Sequence, residues 1–490
     1  MPRAGCINGW LNRLDIDSGC VQVIHYYICP VNVDLLHDPI PILIRRLAVP
    51  VAVGFFFNTM FNVVDTWYAG WLSTEGIAAL TLSFPIFFTI VAVGNGVSTA
   101  ATAIVSHELG KADERAAAHL FAQSLVFALI LSIALAVVGV VVANRLLLLM
   151  SDDAQAVALG LDYLVVIFIG VPFFILQSVF NASLTARGDT RSFRNVLIGG
   201  FLLNLALDPL FLFGVTPLGI HGMGVAGIAL ATVLIQAGGM VYLAWCAWKR
   251  NVFLLLGRHD WIPRATAFSA IARQALPAGL SMMFVAVGIL IINTYVADAG
   301  NTAAVAAYGI AMRIEQIALL PTIGLSVAVL AIVGQNAGAG NWIRVRQTYF
   351  TALRYGAIVM ATMLCGIIPF AAQWISLFDA TPEVVSVGKG YLYVEVITFY
   401  AYVLVFLTTS LLQGLKKPMF AVWIGLYRQG VAPLVVFYLL LHVFDFGVTG
   451  IWWGICGITW SAAVVAVVFA IRTLGILHEI RIKPIEHTSP

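Results

Sequence analysis

Asp65, Asp208, Glu315, Glu395, Arg313 and Arg428 stand in stretches that are otherwise almost free of charge. An ionised carboxylate at the centre of a bilayer costs at least about 2.5 kcal/mol on insertion scales, so each such acid needs a water-filled cavity, a partner or a proton. Asn58 and Phe61 precede Asp65 by seven and four residues, which puts amide, aromatic ring and carboxylate on one helical face. Asn204 shares a face with Asp208 one turn on. Pro209 has no N–H to give, which leaves the carbonyl of Leu205 without its helical donor. An Asp, an Asn and a freed carbonyl can form a cation cage or a hydrogen-bonded proton site. If Asp65 and Asp208 face one cavity, poor solvation and mutual repulsion favour a proton on at least one of them. Such a proton, loaded on one side of a membrane and released on the other, is a coupling device.

Arg313 and Glu315 lie two apart in AMRIEQ and so on different helical faces; Glu315 is expected to meet Arg428 or a polar neighbour instead. Glu395 reads either as a cavity acid or as an interfacial residue. Phe61, Tyr400 and Tyr402 are candidate walls of a substrate cavity, since aromatic rings hold flat or cationic molecules at about 0.5–2 kcal/mol. Trp67, Tyr68, Trp452 and Trp453 read instead as anchors at the membrane interface.

The elements that must position these residues are membrane spans. Of 490 residues, 61% are hydrophobic and only 10% charged, with mean hydropathy +0.97, against roughly 25% charged in soluble domains. Apolar runs of the roughly 20 residues a spanning helix needs recur twelve times, at 47–70, 77–105, 119–143, 157–181, 193–214, 222–246, 271–297, 303–332, 349–373, 387–412, 420–443 and 448–472. None shows the alternation in segments of about ten that a closed barrel requires, so the fold class is an all-α membrane protein. Lys and Arg collect in every second connection, leaving only Arg145 and Lys389 opposite, which predicts both termini on the cytoplasmic side. Residues 1–40, with Cys6, Cys20 and Cys29, fit neither a span nor a signal peptide; they read as a disordered tail or an over-extended translation start. Cys246, Cys365 and Cys456 fall in spans and suggest packing rather than a disulfide framework.

The chain is also written twice. AALTLSFPIFFTIVAVGNGVSTAATAIVSHELGKA from Ala78 aligns with AAYGIAMRIEQIALLPTIGLSVAVLAIVGQNAGAG from Ala306, pairing Gly96 with Gly324 and Gly110 with Gly338 at an offset of 228, and Pro50 pairs with Pro277. Two parallel halves of six spans predict a transporter with substrate held between them. The expected lobes are 41–246 and 271–472, joined by a basic cytoplasmic linker at 247–270, with a tail at 473–490. In the second lobe Asp65 faces Ile292 or Asn293, and Arg428 stands roughly where Asn204 does, which predicts coupling chemistry concentrated in the first lobe. No HExxH, P-loop or GxSxG motif is present, so the chain does not read as an enzyme and needs no cofactor beyond a coupling ion.

VDTWYAG at 64–70, LTARGDTR at 184–191, NLALDPLF at 204–211, and GQNAGAGN at 334–341 facing SHELGKAD at 106–113 resemble the multidrug and toxic compound extrusion family, with NLALDPLF and VDTWYAG most like its DinF-type branch. The resemblance implies an antiporter that exports organic molecules through a cavity between two six-helix lobes, driven by H+ or Na+. It also implies that Asn181, at the end of the fourth span, joins the Asp65 and Asp208 cluster, and that the first helix bends at Pro50. Acids that the NorM-type branch carries on helices seven and ten fall here at about Val285 and Tyr402, which favours protons over sodium. The expected partners are a small organic substrate and the lipid bilayer, without nucleic acid or metal, for a monomer in the cytoplasmic membrane. The alternatives are sodium-coupled export, a flippase for lipid-linked precursors, or an intramembrane lipid enzyme using the two Asp residues.

Overall fold

Twelve apolar helices, each long enough to cross a bilayer, dominate the computed structural model, which describes residues 33–215 and 220–482. They are α1 (Ile40–Leu72), α2 (Thr74–Gly110), α3 (Glu114–Met150), α4 (Ala154–Ala186), α5 (Arg191–Phe213), α6 (Val225–Lys249), α7 (Ala265–Ala299), α8 (Thr302–Gly338), α9 (Trp342–Ile367), α10 (Pro382–Gly414), α11 (Met419–Val443) and α12 (Gly447–Ile482). The expected all-α membrane fold is therefore present. The described strands are a small antiparallel pair, β1 (Gly214–Val215) and β2 (Ile220–His221), between α5 and α6.

Local chemistry repeats with the same 228-residue period as the apolar pattern. Ser73 caps α2 by accepting from the Gly76 amide at 3.0 Å, and Asn301 caps α8 by accepting from Ala304 at 3.1 Å. Asp113 and Asn341 cap α3 and α9 in the same way; each satisfies an amide that the helix start would leave orphaned. The left-handed residues that turn the chain also recur, Ala112 with Gly340 and Gly188 with Lys416.

Packing follows that symmetry. In the first half α1 packs on α5, α2 on α4, and α4 on α6; in the second α7 packs on α11, α8 on α10, and α10 on α12. The halves meet where α2 crosses α7, α8 crosses α1, and α2 meets α8. A methyl group on Gly110 would overlap the Gln335 carbonyl, and one on Gly338 the His107 carbonyl, so glycine lets the ends of α2 and α8 close on each other. Gln335 adds a hydrogen bond to the Ala186 carbonyl at 2.7 Å, and Lys416 reaches Glu108 at 3.5 Å across the same end.

Several boundaries differ from the sequence reading: α1 begins at Ile40 instead of 47, α3 runs to Met150 instead of 143, α7 begins at Ala265 instead of 271, within the expected linker, and α8 runs to Gly338 instead of 332. Helix α9 starts seven residues before the expected 349, where Asn341 caps it, and ends at Ile367 instead of 373, since Pro369 has no N–H to continue the ladder; a separate short helix, Ala371–Ser376, follows. Part of the expected tail at 1–40 is structured: the Leu35 carbonyl accepts from Asn336 at 3.0 Å and the Asp38 carbonyl from Arg344 at 2.7 Å. The expected C-terminal tail at 473–490 begins instead as helix, since α12 runs to Ile482. Cys6, Cys20 and Cys29 lie outside the described residues.

The segment between α6 and α7 is docked rather than loose. Its turn at Arg258–Trp261 carries Asp260, which accepts from the Gly257 amide at 2.7 Å, pairs with Arg115 at 2.8 Å and meets His119 Nδ1 at 2.8 Å. These contacts hold the Asp260 carboxyl down at about 2, the Gly257 amide contributing most. Gln123 of α3 completes the dock through the carbonyls of Asp260 and Ile262.

Candidate functional site

Asp65 and Asp208, separated by 143 positions, come together because α1 packs along α5. Asn204 donates its side-chain amide to Asp65 Oδ1 at 2.8 Å, and Asp208 lies close enough for the two carboxyls to interact. Asn204 and Asp208 are fully buried, and Asp65 is 9% exposed. Among the described residues neither Asp208 oxygen has a partner in good hydrogen-bonding geometry, nor does Asn204 Oδ1, with Asp65 and Asn204 as the polar neighbours of Asp208. No basic residue stands among the groups that act on either carboxyl. A buried charge without a partner is strongly unfavourable, so a proton or a cation on this cluster would relieve it.

The carbonyl of Leu205, expected free because of Pro209, accepts from Tyr68 Oη at 3.2 Å. Tyr68 is therefore a buried part of the cluster and not an interfacial anchor; Trp67 beside it is 52% exposed. Tyr163 of α4, absent from the sequence reading, is buried within electrostatic reach of both acids. Asn181 is not brought to them: it lies eighteen residues, about 27 Å of helix rise, beyond Tyr163, and its amide oxygen accepts from Thr185 at 3.2 Å. Asn58 and Phe61 are half-buried on the Asp65 helix, with Asn62 donating to the Asn58 carbonyl at 2.8 Å. Helix α1 runs unbroken through Pro50, and α5 through Pro209.

The second half holds acids of its own, on different helices. Glu315 of α8 accepts from Tyr391 Oη at 2.7 Å. Glu395 of α10, 1% exposed, has no hydrogen-bond partner on either carboxylate oxygen and stands within interaction range of Glu315. It is thus not an interfacial residue. Arg428 of α11 acts on both acids without forming a direct ion pair with either; its guanidinium sits over the rings of Tyr402 at 5.0 Å and Phe406 at 5.9 Å. Of the two partners expected for Glu315, the polar neighbour Tyr391 is the one found. Arg313 is exposed and Tyr400 half-buried, while Tyr402 is buried beneath Arg428.

Trp452 is 3% exposed, stacked on Tyr308 with centroids 5.7 Å apart and edge-on to Tyr391 at 4.8 Å, so it is core and not an anchor. The repeat relates this site to the first: Tyr163 and Tyr391 stand 228 apart, whereas Glu315 and Glu395 replace Phe87 and Ile167. Comparing those columns would have exposed the second acid pair in the sequence.

Twelve spans in two equivalent halves, with buried acids placed in each, define a membrane transporter. The family model MatE matches the chain twice, over residues 50–210 and 277–439, and the chain belongs to the MatE family. It is similar to an FAD transporter of Shewanella oneidensis (26% identical, 80% of this chain and 86% of that protein). It is also similar to the multidrug export protein MepA of Staphylococcus haemolyticus (24%, 89% and 93%). Among solved structures it superposes on a MOP superfamily transporter of Pyrococcus furiosus at TM-score 0.85 (24% identical, 92% of this chain and 99% of that one). A MATE structure described as the straight conformation gives 0.84 (25%, 92% and 99%).

Proposed function

We propose that this protein is a secondary active antiporter that exports cationic or amphipathic organic compounds across the cytoplasmic membrane in exchange for protons. The observation that carries the reading is the Asp65, Asn204 and Asp208 cluster, whose second carboxylate is buried with no well-formed hydrogen bond and no counter-charge among the described residues. A site with that deficit binds a proton when the acid side is open and must lose it before the opposite charge state is stable. The multidrug export names of several relatives support the substrate class.

One observation favours a second substrate within the same transport cycle. Arg428, within electrostatic reach of Glu315 and Glu395 but in direct ion-pair contact with neither, lies over two aromatic rings and offers a stacking site to a flat ring bearing negative charge, and one relative carries the name FAD transporter. The test is reconstitution in liposomes with a proton or a sodium gradient imposed separately, following a fluorescent organic cation and, in parallel, a flavin dinucleotide. Proton-driven efflux of the cation is expected. Efflux that ignores the proton gradient and follows sodium overturns the coupling ion, and transport of the flavin alone overturns the cationic substrate.

A further inference from the structure

Helix α9 begins with a basic and aromatic stripe that has no role in the acid sites. Trp342, Arg346, Phe350 and Arg354 follow at intervals of four and so share one face. With Leu474 of α12 they border a pocket of about 470 Å³. Arg346 lies over the Phe350 ring at 5.7 Å, and both arginines are exposed.

Among the described residues, some basic residues in the connections on this side are neutralised and others, such as Arg45 and Arg264, are not; Arg346 and Arg354 are set apart by bordering one pocket together. Lys111 and Lys416 pair with Glu108, Arg115 with Asp260, and Arg250 with Asp189. Neither Arg346 nor Arg354 has a carboxylate within ion-pair distance among the described residues. Arg354 follows Arg344 and Arg346 along α9, at the start of the apolar part of this span, where a guanidinium needs an anion or a path to water.

We propose that this pocket binds one anionic glycerophospholipid. Its phosphodiester headgroup lies between the guanidinium groups of Arg346 and Arg354, two helical turns apart, and an acyl chain runs against Phe350 and Leu474. Guanidinium forks match phosphate oxygens geometrically, and basic pockets between helices on the cytoplasmic side take anionic headgroups. The lipid would tie α9 to α12 beside Arg344, the residue that holds the Asp38 carbonyl.

The test uses the purified full-length protein in detergent, titrated with phosphatidylglycerol, phosphatidylcholine or inorganic phosphate. Lipid retention is read by native mass spectrometry and stability by thermal melting. Phosphatidylglycerol is expected to be retained and to raise the melting temperature, while phosphatidylcholine and inorganic phosphate do neither. In Arg346→Gln/Arg354→Gln its affinity should fall by about fivefold for each arginine removed. Arg45→Gln/Arg264→Gln, which loses the same charge at exposed positions outside the pocket, should bind like the parent. Thr351→Trp, which fills the pocket without removing charge, should also weaken retention. Equal binding of phosphatidylcholine, full stabilisation by inorganic phosphate alone, or unchanged retention in either pocket variant overturns the proposal.

Discussion

The two halves of this protein share a scaffold and differ in where they keep their acids. In the first, Asp65 and Asp208 on α1 and α5 have an amide partner and no basic residue acting on them. In the second, Glu315 and Glu395 on α8 and α10 have a tyrosine partner and Arg428 within electrostatic reach. Arg428 offsets part of the charge of the second pair through space. The first pair has no basic residue acting on it among the described residues, which leaves its charge open to a proton or a cation. Both halves therefore bury paired acids, and under the proposed antiport only the first would depend on a mobile counter-charge. This refines the expectation that coupling chemistry is confined to one lobe.

The largest effect should come from neutralising the unbalanced pair. Asp65→Asn and Asp208→Asn are each expected to lower proton-driven efflux by at least about tenfold, a barrier change of about 1.4 kcal/mol or more. Fluorescent-cation efflux from liposomes under an imposed pH gradient measures this. Efflux at the parental rate in Asp208→Asn would break the contrast, because the carboxylate without a well-formed hydrogen bond would then be dispensable.

Neutralising the balanced pair should matter less. Glu395→Gln keeps shape and removes a charge that Arg428 already offsets in part, so efflux is expected within about threefold of the parent. Arg428→Gln should cost more than Glu395→Gln in the same assay, since it leaves two acids with no compensating charge. The reverse ranking would make Glu395 the coupling acid.

The repeat-related tyrosines sharpen the comparison by stability. Tyr391→Phe removes a 2.7 Å hydrogen bond to Glu315 and should destabilise by about 1–3 kcal/mol. Tyr163→Phe, at the equivalent position but with no hydrogen bond to either Asp, should change stability by no more than about 0.5 kcal/mol. Thermal unfolding in detergent compares them, and equal losses would mean that both hydroxyls serve packing alone.

Spans, repeat and the Asp65 helix face were legible because hydropathy and spacing encode them directly. The partners were less so. Tyr68 and Trp452 look like interface aromatics by composition, and only packing depth reveals that one caps the Leu205 carbonyl and the other stacks on Tyr308. Asn181 was placed by resemblance alone, and the rise of α4 removes it from the cluster. Glu315 and Glu395 stand 80 positions apart on helices that only the fold brings together. Helix α9 slid because a hydropathy window feels neither the Asn341 cap at its start nor Pro369 at its end.

The smallest effect concerns an acid outside the membrane that is fully partnered, and it serves as the reference for the other four. Asp260 is held at about 2, below its ordinary 3.8, by the Gly257 amide, His119 and Arg115. A depressed carboxyl pKa means the unfolded chain binds its proton first as pH falls. The stability that ionised Asp260 contributes is therefore complete above about pH 4 and fades as pH drops through about 2. Between pH 5 and 8 the Asp260→Asn variant should show the same pH profile of efflux as the parent, with a melting temperature lowered by a constant amount. Below pH 4 the two melting curves should converge. A shifted efflux profile in Asp260→Asn would place part of the pH response in the connection between the halves, and the contrast between the two acid pairs would no longer account for it.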